Sequence, residues 1–222
     1  MKKSISIILV LCLVLMTPSV AFASEAGLMG GDIGYEWKER SRSSTITNRG
    51  YAWSLCDPGS PATEAGETST VTGSVSISAS VGGTFKVPRN AILESLEVSL
   101  GVTLELSKSQ TSRPLQKGEY VMGYVRPAWQ QWTIHQDYYC YDTTVVGYDE
   151  NGNAILETET SIVDTATAYV YKPVLPQIKL EYHMSGISEN SIRTMNTLEP
   201  HRVEIYGWKD GAYQLLEVWN EN

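Results

Sequence analysis

Three histidines and several carboxylates are the side chains in this sequence that could do acid, base or metal chemistry. His135, His183 and His201 are far apart along the chain and lack the spacing of a zinc site. Glu157 and Glu159 alternate along a strand-like segment, so nothing marks them as the acid and base of a glycosidase. The sequence has no nucleophile elbow, P-loop or dinucleotide fingerprint. It therefore predicts a protein without enzymatic activity, metal or cofactor.

One segment resembles the opening of a calcium-binding loop. Asp149, Asn151 and Asn153 have the alternate spacing of such a loop. The loop also needs a glycine at its sixth position and a glutamate at its twelfth, where this chain has Ala154 and Thr160. We therefore interpret the segment as a hairpin turn, with a weak extracellular calcium site as the alternative.

Aromatic side chains are the second group with binding chemistry. Trp129 and Trp132 flank a pair of glutamines. Their rings have flat apolar faces and polar tips, which suit stacking on a sugar or contact with a protein. The same properties equally suit the core of a sandwich, and packing in that core is the favoured interpretation for most aromatic residues of the chain. Trp129 and Trp132 are the candidate glycan or protein contacts.

The N-terminus has the three parts of a secretory signal peptide. Lys2 and Lys3 precede an apolar run over residues 7–16, and Ala21-Phe22-Ala23 is a small-x-small cleavage site. The run is shorter than the roughly 20 apolar residues of a membrane-spanning helix. We expect cleavage after Ala23 and a secreted, extracellular protein.

Cleavage would leave two cysteines, Cys56 and Cys140. In an oxidising compartment, a remaining pair of cysteines most simply forms a disulfide. The sequence therefore predicts a Cys56–Cys140 disulfide, and two free thiols are the alternative.

The chain is acidic, with a formal net charge of −8. Loss of the two signal-peptide lysines makes the remainder more acidic. Such a surface repels nucleic-acid phosphates and anionic lipid head groups. Nucleic acid is therefore excluded as a partner. The remaining candidate partners are an extracellular protein, a glycan and a membrane.

Two neighbouring stretches alternate apolar and polar side chains. The apolar residues fall mostly on odd positions in residues 70–87 and on even positions in residues 96–106. A period of two predicts β-strands, and antiparallel pairing of the two stretches brings apolar residues opposite each other. The predicted pairs are Ile77–Leu106, Ala79–Leu104, Val81–Val102, Phe85–Val98 and Val87–Leu96.

A helix is the alternative for residues 90–100. It would begin after Pro88 and present an apolar face. The β-branched Val98 and Val102 favour a strand instead, so a long hairpin is the prediction. The apolar residues of the alternative helix are Ile92, Leu93, Leu96 and Leu100.

The rest of the chain is predicted to form strands separated by turns. Residues 150–153 and 209–212 are the clearest hairpin turns, and before the alternating stretches only residues 44–55 look like a strand. The strands predicted after Pro114 are Tyr120–Arg126, Gln131–Asp142, Thr144–Asp149, Ala154–Val163, Ala166–Tyr171, Gln177–Met184, Arg202–Trp208 and Tyr213–Trp219.

These patterns predict an all-β fold, an elongated antiparallel β-sandwich or meander with one long amphipathic hairpin. The predicted organisation is a signal peptide over residues 1–23, an irregular N-terminal segment over residues 24–68 and a single β-rich domain over residues 69–222.

The alternating stretches resemble the Ser/Thr-rich amphipathic segment of aerolysin-type and epsilon-toxin-like secreted proteins. The resemblance lies in Ser74-Val75-Ser76-Ile77-Ser78-Ala79-Ser80-Val81 and in Val98-Ser99-Leu100-Gly101-Val102-Thr103-Leu104-Glu105. It implies a segment that folds against an elongated β-domain and later opens into a hairpin of an oligomeric β-pore. The residues that would face the membrane are Val75, Ile77, Ala79, Val81, Phe85, Leu96, Val98, Leu100, Val102 and Leu104.

The sequence thus predicts a secreted, non-enzymatic β-protein with a binding or interaction role. Two more specific functions are open: an oligomeric pore former acting through the amphipathic hairpin, and a cell-wall or glycan-binding module. Homo-oligomerisation is expected with the first of these.

Overall fold

A computed structural model describes residues 32–185 and 199–220, and the predicted signal peptide lies outside these residues. The described part contains nine strands and one short helix. Their bounds are β1 Asp32–Thr47, β2 Ser54–Asp57, β3 Thr70–Ser78, β4 Ser80–Gly83, α1 Arg89–Ser95, β5 Thr103–Thr111, β6 Glu119–Tyr148, β7 Ala154–Met184, β8 Arg202–Lys209 and β9 Ala212–Asn220.

Two very long strands form the axis of the molecule. Strands β6 and β7 have 30 and 31 residues and pair antiparallel along their whole length. At about 3.3 Å per residue, each strand extends for roughly 100 Å. The fold is therefore elongated and all-β, as the sequence predicts, although the six strands expected over residues 120–184 are two continuous ones.

The strands form two antiparallel sheets. The larger sheet has the order β1-β6-β7-β8-β9, with β2 beside β6 and β4 beside β7, and the smaller sheet pairs β3 with β5. Strand β7 tolerates Pro173 and Pro176 because both lie between the segments that pair with β4 and with β8. An edge position without a second pairing partner does not need a backbone N–H.

Strand β1 is an element that the sequence hardly shows. It pairs with β6 from Asp32 to Thr47, whereas a strand was expected only from residue 44. Most of its side chains are exposed, so β1 does not need apolar residues at alternate positions. It is held in the sheet by backbone pairing with β6.

The sheet is packed at one end and in the middle. At the packed end, β3 covers β6 and β7, and in the middle α1 and its flanking residues cover the same two strands. The first cluster comprises Ala62, Val71, Leu115, Val121, Val125, Ile178, Leu180 and Tyr182. The second cluster comprises Ile92, Leu93, Leu96, Val98, Ile134, Ala168 and Val170.

The other end of the sheet, which we call the distal tip, comprises residues 138–163, from β6 through its turn into β7, with residues 32–37 of β1. Every residue from 151 to 163 is exposed. The turn that joins β6 to β7 is held by Asp149. Its carboxylate accepts hydrogen bonds from the backbone N–H groups of Asn151 and Asn153 at 2.8 Å and from the Asn153 side-chain amide at 2.9 Å. These bonds lower the pKa of Asp149 and form the predicted hairpin turn.

Candidate functional site

The candidate site is the amphipathic segment, residues 70–111, together with the part of the sheet on which it packs. Its two ends form the β3–β5 hairpin, whose outer face is lined with hydroxyl groups. These groups form cross-strand hydrogen bonds, Thr70–Thr111 at 3.0 Å, Thr72–Ser109 at 2.8 Å and Ser74–Ser107 at 3.1 Å.

The inner face of β3 packs closely on the long sheet. Val71 and Ile77 are buried, and two glycines allow the close approach. A Cβ atom on Gly73 would lie 2.5 Å from Ile178 Cδ1, and one on Gly123 would lie 2.3 Å from Val71 Cγ1. Such distances are too short for real contacts, so both positions need the absence of a side chain.

The observed hairpin register differs from the predicted one. Ile77 lies opposite Leu104 and Val75 opposite Leu106, a shift of two residues from the predicted pairs. The shift preserves which residues share a face, because side chains alternate with a period of two. The apolar alternation therefore predicted correctly which residues share a face. It could not distinguish between registers that differ by two residues, because both place the same residues on each face.

Beyond Ser78 and Thr103 the two arms separate, so the predicted long hairpin is wrong over residues 79–102. Residues 80–83 instead form β4 and pair with Ala168–Tyr171 of β7. The chain then crosses to α1, so the helical alternative for residues 90–100 is correct over residues 90–95.

Packing against the long sheet favours the helix. Ile92, Leu93 and Leu96 come to one side of a helical turn and contact the cluster that contains Ile134 and Val170. A helix buries these three residues together, whereas a strand would place Ile92 and Leu93 on opposite faces.

Polar side chains of the sheet hold the segment in place. The Gln136 carboxamide oxygen accepts hydrogen bonds from the backbone N–H groups of Lys86 at 2.7 Å and Val87 at 3.0 Å, and its NH₂ donates to Thr84 O at 2.9 Å. The Lys172 ammonium donates to Leu96 O at 3.0 Å. Gln136 is fully buried, so its three bonds are shielded from competing water.

The ten candidate membrane-facing residues lie in this segment at different depths, divided between the two core clusters and the surface. Ile77, Leu96 and Val98 are buried, and Val75, Ala79, Val81 and Phe85 pack partly buried against the two cores. The other three are exposed, Leu100 at 37%, Val102 at 50% and Leu104 at 42%.

A buried ionic network lies where the segment leads into β6. The carboxylate of Glu119, which is fully buried, accepts hydrogen bonds from the Arg113 guanidinium, from Gln116 N–H at 2.8 Å and from the His201 ring at 2.9 Å. Burial opposes ionisation, but these bonds outweigh it and lower the pKa of Glu119. Sequence spacing gave no sign of this network, because His201 is distant in the chain.

A second carboxylate is held in the same way on β8. Glu204 is buried and accepts hydrogen bonds from Tyr182 and Tyr206 and from Arg202. Burial again opposes ionisation, but the bonds to the charged form lower the pKa of Glu204, and burial beside this carboxylate raises the pKa of Tyr206 to about 12. These groups brace the strands.

The predicted disulfide is wrong, because Cys56 and Cys140 are unpaired. Cys56 lies on β2 between Leu55 and Asp57, which pair with Tyr124 and Gly123 of β6, whereas Cys140 lies opposite Tyr35. From Tyr124 to Cys140 strand β6 covers on the order of 50 Å. A disulfide needs Cα atoms within about 7 Å.

The structure buries one of the two predicted contact tryptophans and leaves the other half-buried. Trp129 is only 3% exposed, and its indole N–H donates to Ser78 O at 3.1 Å. Trp132 packs against the second core cluster. Both positions agree with the core alternative, so in this conformation Trp129 has no face free for a ligand.

Within the described part of the chain, the histidines and carboxylates do not converge on a metal site. Over residues 32–185 and 199–220 no three His, Cys, Asp or Glu residues are close enough to hold a metal ion. His135 lies near Thr167 on the sheet, with its Nδ1 atom 3.5 Å from the Thr167 hydroxyl, while His201 belongs to the Glu119 network.

No protein-family model matches the chain, and no curated protein matches it either. None of the helices in the described residues has the length and apolar character needed to cross a membrane.

Proposed function

We propose that this protein is secreted and acts by inserting residues 75–106 into a membrane as an amphipathic hairpin of a homo-oligomeric pore. The observation that carries the proposal is the β3–β5 register. Continued past Ser78–Thr103, the same register places apolar residues opposite each other at three further positions, between residues 79–85 and residues 96–102. The added apolar pairs are Ala79–Val102, Val81–Leu100 and Phe85–Leu96.

The extended hairpin would have the two faces that a membrane strand needs. A transmembrane strand alternates residues that face lipid with residues that face water, over about 9–11 residues, and the two arms, residues 75–85 and 96–106, reach this length. The water-facing positions would be mostly Ser, Thr and Gly, with Lys86, Glu97 and Glu105. The lipid-facing positions would be Val75, Ile77, Ala79, Val81, Gly83, Phe85, Leu96, Val98, Leu100, Val102, Leu104 and Leu106.

The packed segment contains backbone positions that would relax on extension. Glu97 has φ 53°, a left-handed conformation that costs a non-glycine residue roughly 1–2 kcal/mol. Gly83 and Gly101 also have positive φ, 71° and 78°. Extension would remove the left-handed turn at Glu97, at the expense of the Gln136 and Lys172 bonds.

A cross-link that holds the segment on the sheet tests this proposal. Val81 of β4 lies opposite Val170 of β7, and opposed residues on antiparallel strands have Cα atoms about 4.5–5.5 Å apart, within disulfide range. The variant Val81→Cys/Val170→Cys, made with Cys56→Ser and Cys140→Ser, should not release dye from vesicles when oxidised. Reduction should restore release.

The matched control links the two arms to each other. Ser74 and Ser107 are opposed within the β3–β5 hairpin, and this pair would persist in the extended form. Oxidised Ser74→Cys/Ser107→Cys should therefore release dye like the parent and form the same detergent-resistant oligomer. Release by the oxidised Val81–Val170 variant at the parent rate, or no release by the parent with or without limited proteolysis, would contradict the proposal.

A further inference from the structure

A cavity of about 260 Å³ lies where the two arms of the amphipathic segment separate, and we call it the fork cavity. It lies just beyond Ser78 and Thr103, the last pair of the β3–β5 hairpin. The apolar residues of its wall are Ala79, Val98, Val102, Leu104 and Pro173. An apolar cavity of about 150 Å³ is large enough to bind benzene, so the fork cavity has room for a length of hydrocarbon chain.

The apolar wall comes from both arms and is partly open to water. Leu104 lies opposite Ile77, so the two side chains share the inner face of the hairpin. Ala79 and Val98 form another part of the wall, since both belong to the second core cluster. Val102 and Leu104 are nevertheless 50% and 42% exposed. The cavity therefore has a packed floor and an accessible apolar side.

Two opposite charges border the fork cavity. The Lys172 ammonium lies 3.8 Å from the Glu97 carboxylate and donates to Leu96 O at 3.0 Å. The side chains of Lys172 and Glu97 are 35% and 89% exposed, so both groups are accessible to a ligand. An ammonium group has three donors and a carboxylate accepts several hydrogen bonds. The border of the cavity thus offers one cation and one anion, with no net charge.

We propose that the fork cavity binds a zwitterionic phospholipid of a membrane, with one acyl chain against the apolar wall and the head group at Lys172 and Glu97. This inference rests on the proposed function, and it concerns the contact with lipid that precedes insertion. The phosphate of a phosphocholine head group would pair with the Lys172 ammonium, and its trimethylammonium group would lie beside the Glu97 carboxylate. A lipid of net negative charge is disfavoured, because the chain itself is acidic, at −8.

The residues that follow the cavity favour contact with a membrane before any rearrangement. Leu100, Val102 and Leu104 are all exposed, and only the uncharged Gly101 and Thr103 separate them. These three side chains can enter the membrane interface while β4 and α1 remain packed on the long sheet. Lipid binding at the fork cavity therefore does not require the segment to leave the sheet.

The experiment measures binding of the mature protein to phosphatidylcholine vesicles by flotation, separately from dye release. The parent should bind, and Val102→Ser/Leu104→Ser should bind on the order of tenfold more weakly. The matched control is Ile155→Ser/Leu156→Ser in the distal tip, where the two side chains are 48% and 60% exposed. The control should bind like the parent.

A second variant tests the head-group contact without changing the apolar wall. The parent should prefer phosphatidylcholine vesicles to phosphatidylglycerol vesicles. Glu97→Lys places two ammonium groups beside the cavity, so it should reverse this preference. Because the Glu97 side chain is 89% exposed, the unfolding midpoint should stay unchanged. An unchanged lipid preference in Glu97→Lys would contradict the head-group contact.

The cross-linked variant separates lipid binding from insertion. Oxidised Val81→Cys/Val170→Cys holds β4 on the sheet, so it should bind phosphatidylcholine vesicles like the parent although it releases no dye. If the parent binds through Val102 and Leu104 but never releases dye, the proposed function fails and the lipid site stands. No binding of the parent to phosphatidylcholine, or equal binding by the two serine double variants, would overturn the lipid site.

Discussion

Strands β6 and β7 pass through two very different environments. In the middle of the sheet, Ile134 of β6 and Val170 of β7 are fully buried beneath α1 and its flanking residues. In the distal tip the same two strands continue their pairing with Ile155, Leu156, Ile162 and Val163 exposed by 48–60%. Strand pairing is thus continuous, whereas side-chain burial is not.

The distal tip is held by contacts within one layer. Tyr138 stacks on Tyr35 at 5.5 Å and on Trp37 at 4.9 Å between ring centroids. The hydroxyls of Thr143 and Thr158 are hydrogen bonded at 2.9 Å. Cross-strand pairs of this kind contribute roughly 0.2–1 kcal/mol each. The comparison indicates that the packed region supplies most of the folding free energy and that the tip opens locally at lower cost.

The largest expected effect comes from removing a buried side chain in the packed region. Ile134→Ala should lower the free energy of unfolding by about 4 kcal/mol, because it leaves a cavity beneath α1. Ile162→Ala, at a position that is 52% exposed in the tip, should change it by less than about 1 kcal/mol. Denaturant unfolding measures both, and equal losses would refute the difference between the two regions.

The second prediction concerns the Glu119 network. Glu119→Gln should lower stability at pH 7 by about 2–3 kcal/mol, because Arg113 and His201 lose a buried carboxylate. Glu157→Gln, at an exposed position of the tip, is the matched control and should stay within about 0.5 kcal/mol. Unfolding curves of the two variants at pH 7 make the comparison.

The same network predicts acid sensitivity. The pKa of Glu119 is lowered on folding, so its stabilising contribution is complete above the unfolded-state pKa of about 4.3 and is lost as the pH falls through the lower folded-state value. The parent should therefore lose stability below about pH 4 more steeply than Glu119→Gln. Parallel pH profiles of the unfolding midpoint would contradict this role.

A smaller effect is expected from two glycine substitutions. Gly73→Ala should destabilise the protein by about 1–2 kcal/mol, because the added methyl group would overlap Ile178 and Val125. Gly34→Ala in the tip would meet only Tyr141 at 3.9 Å and should be neutral or slightly stabilising. A stabilising Gly73→Ala would show that β3 does not pack as closely as described.

The smallest expected effect is that of a reducing agent. Because Cys56 and Cys140 are unpaired, one beside the packed end of β6 and one near the tip, reduction should leave the unfolding midpoint unchanged. Thiol titration of the unfolded mature protein should find both thiols free. An intact mass about two daltons below the dithiol form would instead indicate a disulfide.

Several elements were predictable because their causes are local. The turns at residues 150–153 and 209–212 follow from Asn-Gly and Asp-Gly chemistry, and both form. The side-chain faces of residues 70–78 and 103–111 follow from their period of two. Strand β1 was mostly missed because its exposed side chains follow no apolar pattern.

The amino-acid sequence by itself determined the all-β class, the main turns, the acidic charge and which side chains of the amphipathic segment share a face. These depend on neighbouring residues and on a period of two. Only the tertiary structure decided the hairpin register, the helix over residues 89–95 and the separation of the two cysteines. Each of these depends on the surface that residues 70–111 meet on β6 and β7. Burial of Ile92, Leu93 and Leu96 against that surface outweighs the strand preference of the surrounding sequence.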